Sequence, residues 1–233
     1  MARTFDDARR WARIGTELLV KTADLDDGGL NAPSALPGWS RKHLVAHVAA
    51  NADALCNLVH WAATGEPTPM YASPEERLEG IEKGARLPAA DLTGWLRRSA
   101  ENLTAGMDAL DDDQWLAKVV TAQGRTVPAT ELPWMRSREV CVHAIDLATG
   151  VTFADLPDDF LAALCDDVVA KRAKAPGPAL NLRAPGVGWD LSGEGEPVEL
   201  VADLPTLTAY LTGRADGPTT ADATPAPTLG AWL

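Results

Sequence analysis

From residue 4 to about residue 150, apolar residues return every three or four positions, the mark of helices that each bury one face. Phe5, Ala8, Trp11, Ala12, Gly15, Leu18 and Leu19 trace a first helix to about Ala23, with Thr4 and Asp7 at its start. Ser40 caps a second, with Trp39 and Leu44 at the positions of a hydrophobic staple. Leu44, Val48, Leu55 and Leu58 carry that helix to about Ala63. Leu92, Trp95, Leu96, Leu103, Met107 and Leu110 mark a third, ending at the acidic run 111–113. A fourth opens near Thr130, passes through Met135, Val140, Val142 and Leu147, and stops at Gly150. Ser73-Pro74-Glu75-Glu76 starts a shorter helix, with a cap, a first-turn proline and a capping-box glutamate, that fades near Gly84. Residues 26–38, rich in Asp, Gly and Pro, read as a loop. Val119-Val120 and Thr126-Val127, flanking Gln123-Gly124, predict a small hairpin. Helices with one apolar stripe must bury those stripes against one another, so a bundle follows.

Beyond Gly150 the pattern changes. Residues 160–173 read as a helix, 179–182 and 197–201 as strands separated by glycines, and 204–211 as a last helix. The tail from Gly217 is rich in Pro, Thr and Ala, with a terminal Trp232-Leu233 suited to docking. The expected fold class is α plus small α/β: a four-helix bundle over residues 1–150, then a small α/β domain over 151–233. A chain of 233 residues with 46% hydrophobic content can fill both cores.

The formal net charge of −12 argues against nucleic acid and anionic membrane surfaces as partners, since both require a basic face. No stretch approaches the length of a membrane span, and MARTFDDARRW has no apolar run of the signal-peptide kind. The three cysteines, Cys56, Cys141 and Cys165, lack CxxC spacing and sit in apolar helical surroundings, as reduced buried thiols do. A cytoplasmic monomer is the expectation. A small anionic substrate would need local arginines to overcome the overall charge.

Chemistry concentrates on two helices. On the fourth, His143 lies about 40° around the wheel from Glu139, with Leu132 about 20° and Met135 about 40° away, so this face points inward. A carboxylate and an imidazole one turn apart can reach one ion, or can simply pair with each other. On the second helix His47 shares its face with Leu58 and Leu44, and with Asn51 about 40° away. A lone inward histidine is commonly a hydrogen-bonded core residue. Two inward faces in one bundle can also bring His47 against Glu139 and His143, giving three ligands and an open position, the pattern of catalytic zinc. A buried glutamate favours the cation, because its charge is costly unless compensated. Asp146 either orients a ligand from behind or caps and pairs locally. His60 faces the opposite side, and His43 reads as solvated near the helix start. Cys56 and Cys141 point about 180° and 200° from His47 and Glu139, so neither supplies a thiol to an ion there.

The segments LPGWSRKHLVAHVAANADAL, NADALCNLVHWAATGEPTPMYASPEER, TAQGRTVPA and WMRSREVCVHAIDL, taken in order, resemble the mycothiol-dependent maleylpyruvate isomerase family of the DinB-like metal-binding superfamily. The likeness extends to YLTGRADG near the C-terminus. It implies a DinB-like bundle followed by a sterol-carrier-like α/β domain, with Zn2+ on His47, Glu139 and His143 and mycothiol as cofactor. It also places Arg214 as an active-site arginine of the second domain, with the site between the two domains. The implied reaction converts maleylpyruvate, a cis alkene of gentisate degradation, to trans fumarylpyruvate. A thiolate adds to the alkene carbon β to the carbonyl, the resulting single bond rotates, and elimination gives the trans product. The substrate carries two carboxylates, and arginine binds carboxylates bidentately. Arg77, Arg125, Arg136 and Arg214 are the candidates. Arg136 could pair with Glu139 or Asp146 instead, Arg77 and Arg125 could be surface residues, and Asn51 bonds either substrate or the next helix. The rivals are a mycothiol S-transferase using the same metal and thiol, and a non-catalytic carrier of a small apolar ligand.

Overall fold

The computed structural model describes residues 3–220, 222–230 and 232. Residues 4–151 form one compact unit and the chain from Thr152 onward another.

In the first unit, α1 (Phe5–Thr22) begins with a capping box, Thr4 Oγ1 accepting from the Asp7 amide and Asp7 Oδ2 from the Thr4 amide. A short α2 (Asp27–Asn31) lies inside the stretch read as loop. The Asp26 carboxylate accepts from the Gly29 amide at 2.7 Å and Leu30 is fully buried, so one cap and one apolar anchor hold a helix too short to show periodicity. Ser40 caps α3 (Arg41–Thr64), which ends at Gly65 in the left-handed conformation. Ser73 caps α4 (Pro74–Ala85), but Glu76 takes the Ala72 amide at 2.7 Å rather than closing a box on Ser73. After α5 (Ala89–Asp108), Asp111 caps a further short helix, α6 (Asp112–Leu116), so the acidic run starts a helix as well as following one. β1 (Lys118–Val120) and β2 (Thr126–Pro128) form the expected antiparallel hairpin, with Val119 opposite Val127. A 3-10 turn at Ala129–Glu131 leads into α7 (Leu132–Asp146). That helix stops earlier than Gly150 suggests: Ala148 itself turns left-handed at φ 53°.

The bundle is built from α1, α3, α5 and α7. α1 packs closely on α7, where Trp11 meets Trp134 edge-on at 5.8 Å. A Cβ added at Gly15 would lie 2.5 Å from Cys141 Sγ and 2.6 Å from Val140 Cγ2. α3 is fastened to the end of α7 by Arg41, whose Nε and Nη2 each donate at 2.6 Å to the carbonyls of Leu147 and Ala148. Those carbonyls have no partner within a helix, so the guanidinium both satisfies them and sets α3 against α7.

In the second unit, α8 (Asp158–Arg172) and α9 (Leu204–Leu211) accompany a three-stranded sheet of β3 (Pro178–Ala184), β4 (Val187–Leu191) and β5 (Glu194–Val201) in the order β4-β3-β5. Leu182 pairs with Trp189 across the antiparallel β3–β4 ladder and with Leu200 across the parallel β3–β5 ladder. β4 was not expected: Gly188 and Asp190 disguise it, and its Trp189 is anchored by an indole N–H to Asp166 Oδ1 of α8 at 2.6 Å. Trp232 is buried, with the Lys171 ammonium 5.9 Å over its ring; Leu233 lies outside the described residues. The fold is mostly helical with a small C-terminal sheet, and no helix among the described residues is long and apolar enough to cross a membrane.

The close approach at Gly15 is testable. Gly15→Ala should lower stability by about 1–3 kcal/mol through overpacking, despite alanine's better helix propensity. It should appear as a lower urea midpoint with an unchanged slope.

Candidate metal centre

α3 and α7 bring His47, Glu139 and His143 together, with one ligand atom from each lying within 4.8 Å of the others. Glu139 Oε2 stands 3.3 Å from His47 Nε2 and 3.4 Å from His143 Nε2. The two imidazole centroids are 5.1 Å apart at an interplanar angle of 81°. Part of the Glu139 side chain is open, yet Oε2 itself is enclosed and has no hydrogen-bond partner among the described residues. An enclosed carboxylate oxygen flanked by two ring nitrogens, without a hydrogen bond, suits an ion taking both kinds of donor. The residues present therefore fit zinc.

Without an ion, the cluster's own charges compensate one another. Burial works against charge on Glu139, but the imidazoles of His143 and His47 outweigh it and hold the carboxyl well below the usual range. Burial also pushes His143 down, but Asp146 and Glu139 prevail and hold it up at about 9. Its Nδ1 lies 2.9 Å from Oδ2 of Asp146, which is fully buried. Asp146 thus pairs locally, one turn along α7, and the contact leaves His143 Nε2 toward Glu139. His47 is pushed below its usual value by burial.

Around the cluster the other candidates separate. Arg77 stands beside the cluster: its Nη2 is 3.2 Å from His47 Nδ1, and its guanidinium lies 5.9 Å over the Tyr71 ring. Arg77, Tyr71, Asn57, Met70 and Trp95 line a cleft of about 430 Å3. Arg136 is buried on α7, but neither Glu139 nor Asp146 takes its hydrogen bonds; Nη1 donates to the Val48 carbonyl at 2.9 Å and to Asn51 Oδ1 at 3.1 Å. Asn51 thus bonds the neighbouring helix. His43 does more than face solvent: Nδ1 accepts from the Ser40 amide at 3.3 Å in a capping box, and its ring stacks on Trp39. His60 is exposed, as expected. Arg125 is exposed on the β1–β2 turn, its backbone paired with Thr121. Arg214, in the second unit, follows Gly213 at φ 71° and donates through Nη1 to the Thr212 carbonyl at 2.7 Å, at the end of α9.

Residues 11–148 match the family model of the mycothiol maleylpyruvate isomerase N-terminal domain. Two crystal structures of the mycothiol-dependent maleylpyruvate isomerase superpose on the chain with a TM-score of 0.91. One, a histidine-to-alanine variant, is 36% identical and the other 37%, each match covering 99% of this chain and 98% of the other. The chain belongs to the mycothiol-dependent maleylpyruvate isomerase family. No curated protein matches it.

Two residues at the centre of this family member escaped the sequence reading. Trp39 meets His47 edge-on at 5.6 Å, and Tyr71 lies close enough to Arg77 for that charge to act on its hydroxyl. Trp39 was noticed only as a staple, and Tyr71 sits in a loop without periodicity. Of the cysteines of this mycothiol-dependent isomerase relative, Cys141 and Cys165 are buried as expected, while Cys56 is half-buried. Cys141 Sγ faces the Trp11 carbonyl of α1, and Cys165 Sγ lies 3.3 Å from Thr208 Oγ1. Burial raises all three thiols, Cys56 to about 11 and Cys165 to about 12. Cys56, the half-buried one, should react with iodoacetamide at pH 7.5 roughly a hundredfold more slowly than a free cysteine of pKa about 8.5, because so little thiolate is present. Mass-spectrometric labelling of the native protein measures that rate.

Proposed function

We propose that this protein is a zinc- and mycothiol-dependent cis–trans isomerase, acting in the cytoplasm, that converts maleylpyruvate to fumarylpyruvate. The observation that carries this function is Glu139 Oε2, enclosed between His47 Nε2 and His143 Nε2 without a hydrogen-bond partner among the described residues, in a chain of this family. His47, Glu139 and His143 would hold the zinc. Bound there, it would supply a lowered thiol pKa, from about 8.5, and so mycothiol as thiolate. An external thiol is needed because Cys56 and Cys141 lie on the helix faces away from His47 and Glu139, with Cys141 Sγ at the Trp11 carbonyl.

The protein's residues do the positioning. Asp146 accepts from His143 Nδ1 and keeps the Nε2 lone pair free for the ion. Arg77 can only donate, so its 3.2 Å contact makes His47 Nδ1 an acceptor and puts the proton of a neutral ring on Nε2, toward Glu139. With Nε2 given to an ion, the ring proton would sit on Nδ1 and Arg77 would lose that acceptor. Its guanidinium, which lines the cleft with Tyr71, would then be free for a substrate carboxylate. Arg136 adds fixed positive charge beside the cluster, where an enolate would develop. Arg214 is assigned the second carboxylate on the family resemblance alone.

Purified zinc-loaded protein with mycothiol and maleylpyruvate should yield fumarylpyruvate without consuming thiol. Net loss of thiol into an adduct would instead identify a transferase, and full-rate isomerisation without thiol would refute the external nucleophile. His47→Ala and His143→Ala should each lose zinc as well as turnover; unchanged zinc content in both would sink the ligand assignment. Asp146→Asn should weaken zinc binding ten- to a hundredfold, roughly the usual effect of removing a carboxylate behind a metal-bound histidine.

Arg77→Ala and Arg214→Ala should stay folded and metal-loaded while kcat/KM falls about tenfold or more, the loss of a charge-assisted contact. Near-normal kinetics in either variant would remove that arginine from the site.

A further inference from the structure

A second cleft, of about 470 Å3, opens in the bundle among α1, α5 and α7, and neither the metal ligands nor Arg77 line it. Its size is that of an ordinary small-molecule site. Its apolar lining comes from Ala12, Leu103, Met107 and Pro133. Its charged lining is unlike the rest of this acidic chain: Arg9, Arg10, Arg13 and Arg136 against Glu17 and Asp108.

Two features distinguish these arginines from a solvated helix face. Arg136 is only 3% exposed, and its Nη2 is enclosed without a hydrogen-bond partner among the described residues, while Nη1 is taken by Val48 and Asn51. A buried guanidinium N–H without an acceptor is costly, and Arg136 lines the cleft, so an anion there gains from its positive charge. The other arginines hold exchangeable partners. Arg9 pairs with Asp108 across from α1 to α5, and Arg13 pairs with Glu17 at 3.2 Å, both between well-exposed side chains. Exposed pairs of this kind contribute little, so a ligand carboxylate can replace an Asp or Glu there at small cost.

We propose that this cleft binds a small carboxylate with an apolar body, its anionic group on the arginines and its hydrocarbon on Ala12, Leu103, Met107 and Pro133. The apolar wall selects against small hydrophilic anions, and the arginines select against neutral amphiphiles.

Octanoate and its neutral analogue octanamide are the probes, titrated into the zinc-loaded protein by calorimetry and by amide NMR. Octanoate should bind saturably at one site, shifting the amides of Thr16 and Thr104, with octanamide at least tenfold weaker. Ala12→Phe should fill the cleft, and Arg13→Glu should reverse its rim; each should weaken octanoate at least tenfold. Both substitutions are at side chains open to the cleft or to solvent, and circular dichroism checks that the fold is kept. The proposal fails if octanoate does not saturate. It fails equally if neither variant weakens binding, if the shifts fall on Tyr71 and Arg77 instead, or if sedimentation shows this face closed by a second copy of the chain. Because binding is read without turnover, failure here is distinguishable from failure of the isomerase assignment.

Discussion

Placing a carboxylate oxygen inside a helical bundle is the constraint on which the rest of the first unit turns. Glu139 Oε2 is enclosed with no hydrogen bond among the described residues, and such a group is tolerated only where positive charge stands close by. The His143 imidazolium provides it at 3.4 Å, and the His47 ring, kept neutral by burial, lies 3.3 Å from the same oxygen. Asp146 adds a second buried carboxylate behind His143, and against burial it and Glu139 hold the imidazole up at about 9. A divalent ion on the same three atoms would supply that positive charge instead, as the proposed function requires.

Such a cluster works only if two helices distant in sequence keep a fixed relation. Arg41, at the first position of α3, ties the start of that helix to the last carbonyls of α7. Arg136 makes a second tie, from α7 to the Val48 carbonyl and Asn51 of α3. The ties lie on either side of His47 along α3. On the opposite face of α7, Gly15 lets α1 approach closely enough that a Cβ there would clash with Cys141. The ligand helix is thus held from both sides by short contacts, and preorganised ligands lose little entropy on meeting an ion.

The overall charge of −12 repels anions at long range, and the molecule meets this by concentrating its arginines. Arg77 stands at the metal centre with Tyr71, while Arg9, Arg10, Arg13 and Arg136 gather around the cleft among α1, α5 and α7. Arg136 belongs to both neighbourhoods, because it lines the cleft and also bonds Asn51, one turn from His47.

The helices of the bundle, their caps at Thr4, Ser40 and Ser73, the hairpin around Gly124 and the inward phase of His47, Glu139 and His143 were all legible in the sequence. Each depends on residues a few positions apart, where helical and strand periodicity and capping chemistry operate. α2, β4 and the early stop of α7 at Ala148 were not, because a five-residue helix, a strand broken by Gly188 and a left-handed alanine leave no periodic trace. Tertiary structure alone decided that Arg136 bonds Asn51 rather than Glu139, that Arg77 meets His47, and that Trp39 and Tyr71 attend the site. Arg136–Asn51 and Arg77–His47 join segments tens of residues apart, while Trp39 and Tyr71 reach His47 and Arg77 from loops just before their helices. A local pattern records which face of a helix is buried, but the partner it meets there depends on how the helices are set against one another, and that is a property of the packed bundle.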